Sequence, residues 1–238
     1  LLNPPVLRLR RGSSRWSPGG SRGAKRCAPV LRSRDLRARP AAPNASAMTS
    51  IFIATPCKAD QAKVLHVSWC PTEPIVAVAT ANGQVSFCDE EGASHEGWVI
   101  ERRVNAGCLA WQTKNRVIAV GWEDGQISIH AFSGGRLDMV YSNDKDHARA
   151  SLRLLMWNPA SSRLVSGDSN GLVRVWKADA RGAVAPYKYY PKKSSITAGV
   201  FSFSSLPQGS GKSYLYGKAF SPAFFFGTEE GKVFYADD

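Results

Sequence analysis

Residues Ala150–Asp179, ASLRLLMWNPASSRLVSGDSNGLVRVWKAD, decide how the rest of the chain is read. An apolar run ends in Trp157 and meets an Asn158-Pro159 turn. A short strand, Arg163–Gly167, leads to a tight Ser169-Asn170-Gly171 turn, and an alternating strand, Leu172–Trp176, follows. Alternation of apolar and polar residues between Gly- and Asn-bearing turns is the signature of half-buried strands, so the stretch predicts a β-meander.

The unit recurs. Trp69 precedes Gly83 by fourteen residues, Trp111 precedes Gly125 by fourteen, and Trp157 precedes Gly171 by fourteen. The local words agree: IVAVATANGQVSF, VIAVGWEDGQISI and LVSGDSNGLVRVW each place an apolar strand before a Gly-ended turn and an alternating strand after it. The tryptophans step by 42 and 46 residues, the period of a four-stranded propeller blade and too long for leucine-rich or ankyrin units. A fourth copy runs from Ile196 to the turn at Gly231, with Pro207–Ser221 inserted between its first two strands.

The reading is therefore all-β: an incomplete β-propeller of about three and a half four-stranded blades, near residues 64–102, 104–141, 150–190 and 196–238. Residues 48–238 fall short of the roughly seven blades of a common ring, and an open arc leaves strand edges unpaired, so the chain is expected to be a piece of a longer one. Trp69, Trp111 and Trp157 are expected in the core between blades, and Gly83, Gly125, Gly171 and Gly231 at hairpin turns. Trp122 breaks the register of the other tryptophans and is expected at the surface as a partner contact.

Charge is unevenly placed. Residues 1–47 carry ten Arg and Lys25 against Asp35 alone, a net of +10 out of +12 for the chain, so residues 48–238 are close to neutral. Ala, Arg, Gly and Pro fill 27 of those 47 positions, too little apolar surface to offset ordering entropy. The tail is read as a disordered, basic, non-native leader in front of the expected start at Met48, in preference to a nucleic-acid or membrane arm or a transit peptide; its prolines and glycines interrupt any amphipathic helix. Cys27, Cys57, Cys70, Cys88 and Cys108 are odd in number and lack Cys-x-x-Cys spacing, as free thiols of a reducing compartment would be. No run approaches the ~18 apolar residues of a membrane span.

The repeats resemble WD repeats, most clearly in the third copy. His147 lies ten residues before Trp157, Ser166 falls on the second strand and Trp176 ends the third. In that family a histidine, a serine or threonine, a turn aspartate and this tryptophan form a buried hydrogen-bonded network. Here the turn position holds Asn170, and Lys177 stands where an aspartate follows the tryptophan, so a partial network is expected. A closer likeness lies in VSWCPTEPIVAVAT, CLAWQTKNRVIAVGWEDGQISIH and LRLLMWNPASSRLVSGDSNGLVRVWKADARG, and in FFFGTEEGKVFYADD after the insertion. These are similar to the amino-terminal propellers of the intraflagellar transport 140 family, subunits of the intraflagellar transport A complex. The resemblance implies a non-enzymatic scaffold in retrograde ciliary transport and cilium assembly. It implies as partners other subunits of that complex and adaptors for ciliary membrane-protein cargo, at the cilium, the ciliary base and in the cytoplasm. A WD-repeat scaffold of another trafficking or coat complex is the alternative within this class, and nucleic-acid binding through the basic tail is the alternative outside it.

Signals of chemistry are weak. Gly209-Ser210-Gly211-Lys212-Ser213 looks like the end of a phosphate-binding loop, but its first glycine would fall at Leu206, and no strand-loop-helix context surrounds it. Glu123-Asp124 and Glu229-Glu230 sit just before hairpin glycines, where turn chemistry accounts for them. His66, His95, His130 and His147 show no metal spacing. No catalytic, cofactor or metal site is expected. The run Tyr187–Lys193 reads as an outer strand whose lysines and proline protect an edge.

Overall fold

The computed structural model describes residues 62–179, 181–202, 217–218 and 221–237, all within the compact unit Phe52–Asp238. The basic tail and the Gly209–Ser213 run lie outside the described residues. Every described element is a strand.

The first sheet is β1 (Val64–Trp69), β2 (Ile75–Thr80), β3 (Gln84–Asp89) and β4 (Ser94–Glu101), and the second is β5 (Ala106–Trp111), β6 (Val117–Trp122), β7 (Ile127–Ser133) and β8 (Arg136–Asn143). The third is β9 (Leu152–Trp157), β10 (Arg163–Asp168), β11 (Leu172–Ala178) and β12 (Val184–Pro191). The fourth holds β13 (Ile196–Phe201), β16 (Phe224–Thr228) and β17 (Val233–Ala236), while β14 (Gly217–Lys218) and β15 (Ser221–Pro222) pair separately. All pairings are antiparallel between neighbours, and the four sheets stand as four blades of a propeller, each successive innermost strand beside the next.

The second strand of the second blade, VIAVGW, is continuous in apolar or small residues and wholly buried, because neighbouring sheets cover both its faces. Outer strands alternate instead; β8 and β12 bury few side chains. The core accordingly lies in the seams. Phe87, Trp111, Ile118 and Phe132 fill the first, Ile129, Trp157, Leu164 and Trp176 the second, and Val165, Val175, Phe224 and Phe226 the third. Burying one such ring contributes a few kcal/mol, roughly 25 cal/mol for each Å² removed from water.

The repeating tryptophans have a directional role. The Trp111 indole donates to the Ser68 carbonyl at 3.0 Å and Trp157 to the Ala110 carbonyl at 3.2 Å, so each reads the innermost strand of the preceding blade. Both are 6% exposed, whereas Trp69 is 52% exposed. The expectation that Trp69 is a core residue is corrected here: it begins the series, and among the described residues no sheet precedes β1 to offer a carbonyl or cover the ring.

Candidate functional site

The third blade holds a buried polar chain. The Trp176 indole donates to Ser166 Oγ at 2.8 Å, Ser166 Oγ lies 2.7 Å from His147 Nε2, and His147 Nδ1 lies 2.6 Å from Asp168 Oδ2. An ionised carboxylate can only accept, so Nδ1 donates to Asp168; in the neutral imidazole Nε2 then accepts from the Ser166 hydroxyl, whose oxygen takes the indole proton. Asp168 also accepts at 2.9 Å from the backbone amides of Asn170 and Leu172 and so shapes the hairpin before Gly171. The carboxylate of the network is thus Asp168, two residues before the turn position at Asn170, and reading the turn alone missed it.

A serine, a histidine and an aspartate in series have the composition of a hydrolytic triad, but their environment differs. His147 is 2%, Ser166 0% and Asp168 1% exposed, and the hydroxyl is already engaged by an indole on β11. What the chain does is mechanical: it ties the connection carrying His147, between β8 and β9, to β10 and β11.

Hairpin glycines extend that tie across blades. A Cβ on Gly125 would lie 1.8 Å from the His147 carbonyl oxygen, and one on Gly83 2.0 Å from that of Arg102. At Gly171 the carbonyls of Lys192 and Ser194 would each be 2.6 Å away. Each glycine, at positive φ, lets the connection to the next blade pass directly over the turn. Gly231 has a positive φ but nothing within 4 Å.

The second blade has a different lock. Trp122 stands at the end of β6, where β10 has Asp168, and is fully buried. Its indole donates to Ser128 Oγ at 2.9 Å, and His130 Nε2 lies 3.0 Å from the same oxygen. Arg102 lies over the indole at 4.9 Å and forms a fork with Asp124 at 3.1 and 2.8 Å. Trp122 as an exposed partner contact is therefore corrected: an arginine from the first blade's connection caps the ring that the register predicted to be free. Burial pushes the His130 imidazole down to about 4, so it is neutral near pH 7.

The acidic pairs are turn residues. Asp124 pairs with Arg102 and accepts from the Gln126 amide, and Glu230 pairs with Lys232. Among the described residues no group of three or more His, Cys, Asp or Glu could hold a metal ion, and no helix is long and apolar enough to cross a membrane. Tyr187 on β12 lies beneath Lys177 Nζ at 3.9 Å, which stores its aromatic face against the blade's own cation.

Fold likeness extends to a chain of the crystal structure of the mitotic checkpoint complex, at 18% identity and a TM-score of 0.56 over 75% of this chain and 51% of that one. This chain spans about half the length of that one, and at this identity the likeness speaks for architecture alone. The family comparison reaches further. Residues 51–210 match the family described as IFT140 first beta-propeller, about two thirds of the chain, including all of the first three sheets and both locks. With a four-blade propeller, its tryptophan ladder and that match together, the chain belongs to the IFT140 first β-propeller family.

Proposed function

We propose that this propeller is a non-enzymatic scaffold of the intraflagellar transport A complex, serving retrograde transport and cilium assembly by holding sister subunits and cargo adaptors on its exposed rims. The observation that carries the reading is the family match across residues 51–210. A second supports it: the buried polar side chains of the second and third blades are engaged in locks within and between sheets, which suits a rigid platform better than a reacting centre.

The reading is tested by expressing the full chain with a fluorescent tag in ciliated cells and identifying what co-purifies. Enrichment at the cilium and its base, with the other subunits of the transport A complex in the purified material, is the expected result. Overexpression should also compete with the endogenous subunit and lead cargo to accumulate toward the ciliary tip, as a retrograde defect does. A diffuse signal with none of those subunits recovered would overturn the assignment.

A further inference from the structure

The two complete seams are built on matching positions and filled differently. Counting from the hairpin glycine, Arg174 and Trp176 on β11 correspond to Ser128 and His130 on β7, and Tyr189, paired with Arg174 across β12, corresponds to Ser142, paired with Ser128 across β8. In the seam between the second and third blades the guanidinium of Arg174 meets Asp146 at 2.5 Å and lies 6.0 Å from the Trp176 ring and 5.8 Å from the Tyr189 ring. In the seam between the first and second blades the groove lined by Ser128 and His130 measures about 440 Å³, a size that accommodates a large side chain and its flanking backbone.

That groove has a definite chemistry. Its walls are Val99 and Leu137 with Met139, which is 63% exposed, and its floor carries Ser128, His130 and Gln126. Two charged residues line it, Arg102 and Glu101. The guanidinium of Arg102 is committed to Asp124 and to the face of Trp122. Glu101 accepts from the Gln84 amide at 3.1 Å, and among the described residues no cation lies within salt-bridge distance of it. The groove therefore offers one unneutralised carboxylate at its mouth, one free acceptor at its floor (Ser128 Oγ or His130 Nδ1, according to the imidazole tautomer) and apolar walls between.

We propose that this groove binds an arginine side chain presented on an extended peptide of a partner protein, with the guanidinium on Glu101 and the methylene stem against Val99, Leu137 and Met139. The occupant supplies from outside what Arg174 supplies from within one seam further along. Arginine fits better than lysine because a planar fork can bridge a carboxylate and a second acceptor together, which a point charge cannot. The proposal is independent of the ciliary assignment, which localisation tests and peptide binding does not.

The experiment titrates the full-length protein into a fluorescein-labelled Gly-Gly-Leu-Arg-Leu-Gly-Gly peptide and reads anisotropy. The same peptide with citrulline or lysine in place of arginine is run beside it. Citrulline keeps the shape and removes the charge, so its binding should be about tenfold weaker or worse, with lysine between. Glu101→Gln, at an exposed position where the amide keeps its contact with Gln84, should bring the arginine peptide down to the level of the citrulline one. Met139→Ala should weaken all three peptides alike, by about threefold, through the lost wall. Glu90→Gln, a remote exposed change of the same charge, should leave binding within about twofold. Equal binding of arginine and citrulline peptides, no saturable binding at millimolar protein, or an arginine peptide indifferent to Glu101→Gln would each overturn the proposal.

Discussion

Ser166→Ala is the sharpest test of the lock in the third blade. The substitution removes one oxygen, but that oxygen receives the Trp176 indole at 2.8 Å and lies 2.7 Å from His147 Nε2. Trp176 is fully buried and His147 is 2% exposed, so water cannot replace the lost partner. Leaving a buried polar group unpaired costs about 1–3 kcal/mol, and two groups are orphaned, so the expected loss is about 2–6 kcal/mol. For a domain of this size that lowers Tm by roughly 5–15 °C. Urea unfolding of the full chain, followed by circular dichroism so that tryptophan changes do not enter the signal, reads the loss directly. A second arm adds Trp176→Phe. Once Ser166 is gone the indole is already an orphan, so removing it should cost about 1–3 kcal/mol less in that background than in the parent. A Ser166→Ala loss under about 0.5 kcal/mol, or two additive single costs, would refute the claim that these atoms act as one connected unit.

Three further outcomes follow from the same geometry. Gly125→Ala should cost about 3 kcal/mol or more in a urea titration, because its Cβ would meet the His147 carbonyl at 1.8 Å, whereas Gly231→Ala, with open space around it, should cost about 1 kcal/mol from positive φ alone. The His130 imidazole is held down to about 4 by burial, while the unfolded chain takes up the proton near 6.5. Between those values the unfolded state binds more protons, so His130 contributes stability in full above about pH 6.5 and loses about 3 kcal/mol of it by pH 4; His130→Gln should flatten that part of a stability-against-pH curve. Burial pushes the Cys108 thiol up to about 12, so iodoacetamide at pH 8 should leave Cys108 unlabelled in the native protein and label it in urea, as peptide mass spectrometry would show.

The sequence by itself determined the architecture. Fourteen residues from tryptophan to glycine, three times over, fix a strand, a turn, a second strand and a hairpin, because those lengths follow from backbone geometry within a single sheet. The inner strands were legible for that reason, each ending at its tryptophan, and the unbroken apolar run of Val117–Trp122 announced cover on both faces. Outer strands were less so. The outer strand of the first blade, Ser94–Glu101, has no such marker, because an edge strand half in water carries a weaker apolar pattern.

Whatever depends on the neighbouring blade was decided by the tertiary structure. Trp69 and Trp111 occupy the same place in their own sheets, yet the first is half exposed and the second buried, since burial is set by whether another sheet stands alongside. Trp122 broke the register and reads as a surface residue until Arg102, twenty positions away, is seen to close over it. Asp168 joins the lock through His147, twenty-one residues earlier, a spacing that no local pattern marks. Seam contents and the groove they leave depend on which side chains of separate strands come to face each other, and that correspondence exists only once the sheets have stacked.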